Sequence, residues 1–268
     1  MYDTRDPRAA LAPVSTVKPL PAAFAGAEYV KFYAVPPQET VAGTRTWYAR
    51  GQNFVLAYSE AAADAEFARP GGTDEHMLLL PDATPVEIAT AAETLSFPGG
   101  SLVIFPPGES RIPLAEPGRV IRLFTAETGG LARKCANANS YAEPHPNVAP
   151  LEPWPDPIGG HRLRRYDLDA PIAPGRFGRI WRSTRFMVNY LPDSDGPRDP
   201  TKLSPHSHDD FEQCSLVLEG AYVHHLRWPW TTNKHVWRED DHEPCGAPSV
   251  AVIPPPSIHT SEAVGSSR

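Results

Sequence analysis

The sequence predicts an all-β protein, and three observations support this fold class. Proline occupies 32 of the 268 positions, more than twice the average share of roughly 5%, and helix interiors do not tolerate that density. Short runs of β-branched and aromatic residues alternate with turn residues, which is typical of a sandwich or barrel. Helical character is confined to one segment, EAAADAEF (60–67), which predicts a short helical turn.

The predicted strands follow one another at short intervals along the chain. In order, they are residues 28–35, 44–49, 53–60, 76–80, 101–105, 119–127, 161–168, 179–191, 214–218, 221–228 and 248–253.

The two halves of the chain resemble each other, which indicates an internal duplication. TWYARGQNFVLAYSE is similar to RIWRSTRFMVNYLPD, and GSLVIFPPGESR (100–111) is similar to PSVAVIPPPSIH (248–259), in the same order. Between them, residues 135–160 are rich in proline, asparagine and alanine and predict an extended surface linker. We therefore expect one domain at 1–134 and a second at 161–268.

Composition excludes several classes of protein. A net charge of −7 and the lack of a long basic run argue against a nucleic-acid partner. The sequence contains no run of eighteen apolar residues, so we expect no membrane span. The first residues lack the apolar core of a secretory signal. Three widely spaced cysteines fit a reducing compartment, so we expect a cytoplasmic protein.

The segment SPHSHDDFEQCSLVLEG (204–220) carries the strongest chemical signal. His206 and His208 share a face if this segment is extended, and Glu212 has the same parity. Imidazole and carboxylate groups are good ligands for divalent transition metals, and His259, after a strand and a proline turn, is a candidate fourth ligand. The alternative is a solvated polar turn before a strand.

These two segments resemble the two motifs of the cupin superfamily, PHSHDDFEQCSLVLEG and GAPSVAVIPPPSIH. The resemblance implies two tandem cupin β-barrels of the jelly-roll type, a bicupin, with a metal bound by His206, His208, Glu212 and His259.

The sequence departs from the cupin pattern in three places. Gly220 follows Glu212 after seven residues where the family usually has six, and the second motif has Ala247 where an acid is usual. The chain also ends nine residues after His259, so the barrel needs a further strand. We expect it from the N-terminal segment or a partner chain, unless the chain is truncated.

The N-terminal half lacks the histidines of the second half. Alignment places Arg69, Gly71 and Arg111 at the positions of His206, His208 and His259, while Glu75 takes the position of Glu212. We expect no metal there and a structural role for this half. The alternative is an anion site built on Arg69 and Arg111.

The strand after the first motif, AYVHHLRWPW (221–230), is expected to line the cavity. Aligning Val86 and Ile88 with Val223 and His225 predicts that His225 and Arg227 point inward and His224 outward. His225 and Arg227 are then candidate catalytic residues, and Glu212 is a candidate base. The alternative for His225 is a core histidine.

A site of three histidines and one carboxylate leaves coordination positions open, which suits catalysis. The leading hypothesis is a metal-dependent enzyme of dioxygenase type acting on a small enol, phenol or diketone, with iron preferred and manganese, nickel or zinc as alternatives. The second is a non-redox isomerase or lyase acting on a sugar acid or other carboxylate clamped by Arg227. The third is a ligand-binding cupin without turnover. The resemblance also implies a homodimer.

Overall fold

A computed structural model describes residues 23 to 267, and β-strands dominate this part of the chain. Strands and short 3₁₀ turns account for its regular structure, and no helix within it is long and apolar enough to cross a membrane. The strands of the first half are β1 (Glu28–Lys31), β2 (Glu39–Val41), β3 (Thr44–Arg50), β4 (Phe54–Ala61), β5 (Ala65–Arg69), β6 (His76–Leu80), β7 (Val86–Thr90), β8 (Thr94–Phe97), β9 (Ser101–Phe105), β10 (Ser110–Leu114) and β11 (Gly118–Thr125). The strands of the second half are β12 (Arg164–Asp167), β13 (Arg179–Arg182), β14 (Met187–Tyr190), β15 (Gln213–Val217), β16 (Ala221–Arg227), β17 (Asp241–Gly246), β18 (Ser249–Ile253) and β19 (Ile258–Ala263).

The N-terminal barrel is built from two antiparallel sheets. A seven-stranded sheet has the order β12-β9-β6-β11-β4-β3-β2, and a four-stranded sheet has the order β5-β10-β7-β8. Alternate residues of each strand point into the barrel. The apolar side chains that share this core include Phe67, Leu78, Ile88, Val103 and Phe105.

The C-terminal barrel is smaller and also has two sheets. Their orders are β1-β18-β15 and β17-β16-β19. The β13–β14 hairpin pairs Trp181 with Val188. A separate apolar core joins the two barrels and includes Trp47, Leu56, Tyr190, Leu218 and Val252.

Each barrel uses a strand from the other half of the chain. Strand β1 pairs with β18, so the N-terminal segment closes the C-terminal barrel, as one of the sequence-based alternatives predicted. Strand β12 pairs with β9 and extends the large sheet of the N-terminal barrel. The predicted boundaries at 134 and 161 therefore do not separate the strands of the two barrels.

Two local predictions need correction. The predicted helical turn at 60–67 is wrong, because this segment is the end of β4, a turn at Asp64 with φ near 60°, and the start of β5. Residues 135–160 are not simply an extended surface linker, since Cys135, Tyr141 and Val148 are buried.

Candidate metal centre

Three histidines converge at one end of the C-terminal barrel. The loop before β15 supplies His206 and His208, and β19 supplies His259. Two backbone hydrogen bonds join His206 to His259, at 3.0 and 2.8 Å between nitrogen and oxygen. The candidate ligand nitrogens of the three side chains lie within 4.8 Å of one another, so the predicted histidines do meet.

In His206 and His259, the hydrogen bonds made by Nδ1 leave Nε2, the ring nitrogen that faces the centre, without a proton. The Nδ1 atoms of His206 and His259 each lie 3.0 Å from a backbone carbonyl, of Ser204 and Ser257 respectively. A carbonyl can only accept a hydrogen bond, so each Nδ1 donates and each neutral ring keeps a lone pair on Nε2.

Gln213 could supply a fourth ligand atom at the same point. Its Oε1 lies 3.4 Å from Nε2 of His206, 3.1 Å from that of His208 and 3.2 Å from that of His259. An amide oxygen is also an acceptor. For His206 and His259, the lone pair on Nε2 therefore faces the lone pairs of this oxygen, and a bound cation would turn their mutual repulsion into attraction. The donor set of three imidazoles and one amide oxygen fits a divalent transition metal.

Glu212, the predicted fourth ligand, points to the opposite side of the strand. It belongs to no group of metal-ligating side chains within the described part of the chain. Its Oε2 accepts a hydrogen bond from the backbone N–H of Gln52 at 2.6 Å, and its Oε1 lies 4.0 Å from Nδ1 of His145. Gly51 lies directly beside it, since a Cβ at that position would lie 2.3 Å from Cε1 of Phe54 and 2.6 Å from Oε2 of Glu212. Consecutive residues of an extended chain face opposite ways, so Gln213 and Glu212 cannot both reach the centre.

The environment of Glu212 is typical of a buried structural carboxylate. Burial raises its pKa, and the opposing influences are the backbone N–H of Gln52, the Tyr141 hydroxyl and His145.

Glu75 occupies the equivalent position in the N-terminal half and has a matching environment. It is 1% exposed, it accepts a hydrogen bond from the backbone N–H of Thr184 at 2.8 Å, and it pairs with Arg164 at 2.5 Å. In the repeat, Thr184 corresponds to Gln52 as Phe186 does to Phe54. Each glutamate therefore binds a backbone N–H of the opposite half.

His225 and Arg227 do not line the barrel, which corrects the predicted parity of β16. His225 contacts His242 at 2.7 Å and Glu262 at 3.0 Å on the outer face, and Arg227 pairs with the exposed Asp240 at 2.6 Å. Neither is placed to act on a substrate at the histidine cluster.

His224 faces inward instead. It is fully buried, its Nδ1 lies 2.8 Å from the Ser261 hydroxyl, and its buried Nε2 has no hydrogen-bond partner. Along β16 and β19, Leu226 pairs with His259 and His224 with Ser261. His224 therefore occupies the next inward-facing position along the strand, deeper in the barrel than His259.

Burial keeps the inward histidines neutral. It lowers the pKa of His259 to about 4; the carbonyl of Ser257 opposes this shift, and His206 and His208 reinforce it. The pKa of His224 is also lowered to about 4, mainly by burial. Neutral imidazole is the form that ligates metals.

Three aromatic residues of the C-terminal half differ in their exposure. Tyr190 and Trp228 are buried, whereas Trp230 is 72% exposed and stacks on Trp237 with ring centroids 4.6 Å apart. Cys214 packs against the core between the barrels.

Sequence reasoning missed Gln213 and His224. A signal for Gln213 was present: six residues separate it from Gly220, which is the usual cupin spacing that Glu212 violates. For His224, its buried environment could not be distinguished from that of His225 by residue type.

No protein-family model matches the sequence, and no curated protein matches it. Solved structures do resemble it. The oxalate decarboxylase–formate complex of Lactobacillus farciminis has a TM-score of 0.53 at 14% identity, over 88% of this chain and 82% of that chain. A mutant of the Bacillus subtilis oxalate decarboxylase OxdC has a TM-score of 0.54 at 13% identity, over 88% and 74%. Streptomyces albus HEPD with 2-hydroxyethylphosphonate and Fe(II) bound has a TM-score of 0.53 at 11% identity, over 90% and 74%.

These likenesses show the fold. The chain has the cupin fold, as its two motifs implied, and the arrangement of two barrels fits a bicupin.

Proposed function

We propose that the protein is a metal-dependent enzyme that acts on a small organic molecule at a centre formed by His206, His208, His259 and Gln213. One observation carries the proposal: the Nε2 atoms of the three histidines all lie within 3.1 to 3.4 Å of one atom, the amide oxygen of Gln213. Structural metal sites in proteins are usually closed by four protein ligands in a tetrahedron. Here the exposed His206 lies at the surface end of the barrel, where a substrate can approach.

The charge of the donor set indicates the class of substrate. Three neutral imidazoles and one neutral amide leave the double positive charge of the ion uncompensated, in contrast to the predicted set with Glu212. Such a centre favours substrates with an ionised oxygen, such as an enolate, a phenolate or a carboxylate. The resemblance to HEPD, a protein with Fe(II) and a phosphonate bound, supports this chemistry on this fold.

Dioxygenase-type chemistry with iron is the function we favour, with manganese, nickel or zinc as other candidate ions. When bound, the ion supplies a Lewis acid and, for iron, a redox centre. The chain's own contribution is to orient the substrate: Tyr222, His224 and Leu226 share the inward face of β16, and the unpartnered Nε2 of His224 can accept a hydrogen bond from a substrate hydroxyl or donate one to its oxygen.

An isomerase or lyase acting on a carboxylate is the second candidate, and the oxalate decarboxylase likeness favours it. The predicted role of Arg227 in binding the carboxylate of the substrate is wrong, because Arg227 lies on the outer face and pairs with Asp240. Because its ligands are neutral, the metal ion itself would attract a carboxylate substrate without help from Arg227.

Elemental analysis of tag-free protein tests the proposal first. We expect close to one equivalent of a transition metal, lost in His208→Ala and His259→Ala and retained in His242→Ala, a histidine on the outer face. Iron together with substrate-dependent oxygen uptake would support the dioxygenase, whereas manganese, nickel or zinc without oxygen uptake would support the isomerase or lyase. Protein that neither contains metal nor takes it up on reconstitution would overturn the proposal and leave a ligand-binding module.

A further inference from the structure

The interior of the N-terminal barrel contains a cluster of cationic and aromatic side chains at the position equivalent to the metal centre. Its polar members are Arg69 at the end of β5, His76 at the start of β6 and Arg122 in β11. In the repeat, His76 takes the position of Gln213, because the offset between these two residues equals that between Glu75 and Glu212. The ring of Phe124 has the Cζ atoms of Arg69 and Arg122 at 5.9 and 5.7 Å from its centroid.

The two guanidinium groups carry donors without acceptors. The Nε atoms of Arg69 and Arg122 are buried and have no hydrogen-bond partner. Nη1 of Arg69 donates to the backbone carbonyl of Asp74 at 3.1 Å and contacts Nδ1 of His76 at 2.8 Å. An unpaired buried donor is costly, so each unpaired Nε indicates an acceptor that the protein does not itself provide.

No carboxylate of residues 23–267 forms an ion pair with either arginine. Asp74 and Glu39 are the acids that influence the charge of the two arginines, and both are engaged elsewhere. Asp74 pairs with Arg185 at 2.5 Å, and Glu39 accepts from Tyr48 and from Lys134. Burial lowers the pKa of both arginines, with partial compensation from Asp74 for Arg69 and from Tyr48 and Glu39 for Arg122.

His76 adds a neutral, oriented ring to this surface. It is 2% exposed and stacks on Phe105 with ring centroids 4.3 Å apart. Burial, Arg69 and Arg122 hold its pKa well below the ordinary value, so the ring adds no further positive charge.

Arg69 and Arg122 each keep a minor part of their surface exposed, so a small anion can reach the cluster. Gly72 supports this arrangement, since a Cβ at that position would overlap the guanidinium of Arg69. The predicted partner Arg111 is not part of the cluster: it lies on the outer face and pairs with Glu66.

We propose that the N-terminal barrel binds a small organic carboxylate between the guanidinium groups of Arg69 and Arg122, with its apolar body against the phenyl rings of Phe67, Phe105 and Phe124. Guanidinium groups match the planar geometry of a carboxylate, and the centroid of the Phe67 ring lies 4.5 Å from Cζ of Arg122. This site is independent of the metal centre.

Calorimetric titration with benzoate tests the proposal, with benzamide as the uncharged analogue of the same shape. The protein carries His208→Ala, so that the C-terminal centre cannot take the carboxylate through a metal. We expect saturable binding of benzoate and none of benzamide. Arg69→Gln and Arg122→Gln should each weaken benzoate binding by about tenfold or more, since a charge-assisted hydrogen bond is lost.

Arg111→Gln is the matched control, because it removes the same charge from the outer face of the same barrel, and it should leave the affinity unchanged. The ¹⁵Nε signals of Arg69 and Arg122, assigned by their loss in the two variants, should shift on adding benzoate. Absence of saturable binding, equal affinity in Arg122→Gln, or binding without a shift of either signal would each overturn the proposal. If one variant does not fold, as judged by circular dichroism, the other variant and the wild-type spectra still decide.

Discussion

Gln213 and Glu212 are adjacent in sequence and have opposite surroundings. Gln213 faces three imidazoles inside the C-terminal barrel, whereas Glu212 binds the backbone of Gln52 in the contact between the two halves. The pleat of an extended chain causes this division of roles. The two residues can therefore be tested separately.

We expect Gln213→Ala to weaken metal binding by about tenfold or more, because one ligand atom is lost. Glu212→Gln should keep the metal and lower the free energy of unfolding by about 1 kcal/mol, since a charge-assisted hydrogen bond becomes a neutral one. Metal titration against a competing chelator and urea unfolding measure the two effects. Loss of metal in Glu212→Gln with none in Gln213→Ala would restore the carboxylate as the ligand.

His224 predicts a pH dependence of stability in the metal-free protein. Its folded pKa of about 4 lies below the ordinary 6.5, so the unfolded chain takes up a proton first as the pH falls. The free energy of unfolding should therefore drop by about 2 kcal/mol between pH 7 and pH 5 on account of this residue.

His224→Asn, which can still reach Ser261 but does not titrate, should remove that part of the acid sensitivity. Urea unfolding at both pH values measures it, and His235→Asn, a change at an exposed histidine, serves as the control. Equal pH dependence in wild type and His224→Asn would show that His224 is protonated in the folded state as readily as in the unfolded one.

At the scale of elements, β1 determines whether the C-terminal barrel closes. It lies at the edge of the sheet that carries β18 and, beyond it, β15 with Gln213. Val30 of β1 is 6% exposed and packs in the core between the barrels. A charge there has no partner and must be desolvated.

Val30→Asp should therefore lower the free energy of unfolding by about 3 kcal/mol or more and reduce the metal retained after dialysis. Val41→Asp, in β2 at 62% exposure, makes the same chemical change and should alter neither quantity. Metal retention unaffected by Val30→Asp would mean that β15 and β19 hold the centre without the closing strand.

The elements also show what the sequence could predict. Residues 76–80 and 101–105 are strands with the predicted bounds, because continuous apolar runs between turn residues leave little choice. The alanine-rich segment 60–67 does not form the predicted helical turn, since pairing of β4 with β11 and of β5 with β10 overrides the helical preference of alanine.

Parity was harder to predict than strand location. In β16 the adjacent His224 and His225 are chemically identical, so the pattern does not reveal which one faces inward. At the candidate metal centre the motif spacing predicts the three histidines, but the choice between Glu212 and Gln213 depends on the six-residue spacing to Gly220.

At the scale of the whole molecule, the two halves are interlocked. Strand β1 completes the C-terminal barrel and β12 extends the N-terminal one. Glu75 and Glu212 each accept a hydrogen bond from a backbone N–H of the other half. The two barrels also share one apolar core.

This arrangement predicts that the two sequence-defined domains do not fold alone. Fragment 1–134 lacks β12, and its Glu75 loses the partners Thr184 and Arg164. Fragment 161–268 lacks β1, and its Glu212 loses the partner Gln52. Each fragment would expose the shared core and an unpaired sheet edge, which promotes aggregation. We expect neither fragment to show a cooperative unfolding transition by circular dichroism.

Two fragments that together contain the whole chain should behave differently when they are produced together. A break after Ile158, in an exposed stretch without strands, yields 1–158 and 159–268. Because each piece donates a strand or a backbone N–H to the other, we expect them to co-purify, to unfold in one transition and to hold metal at His206, His208 and His259. Independent folding of fragment 161–268 with a full metal complement would show that the C-terminal barrel is self-sufficient and that the exchanged strand is dispensable.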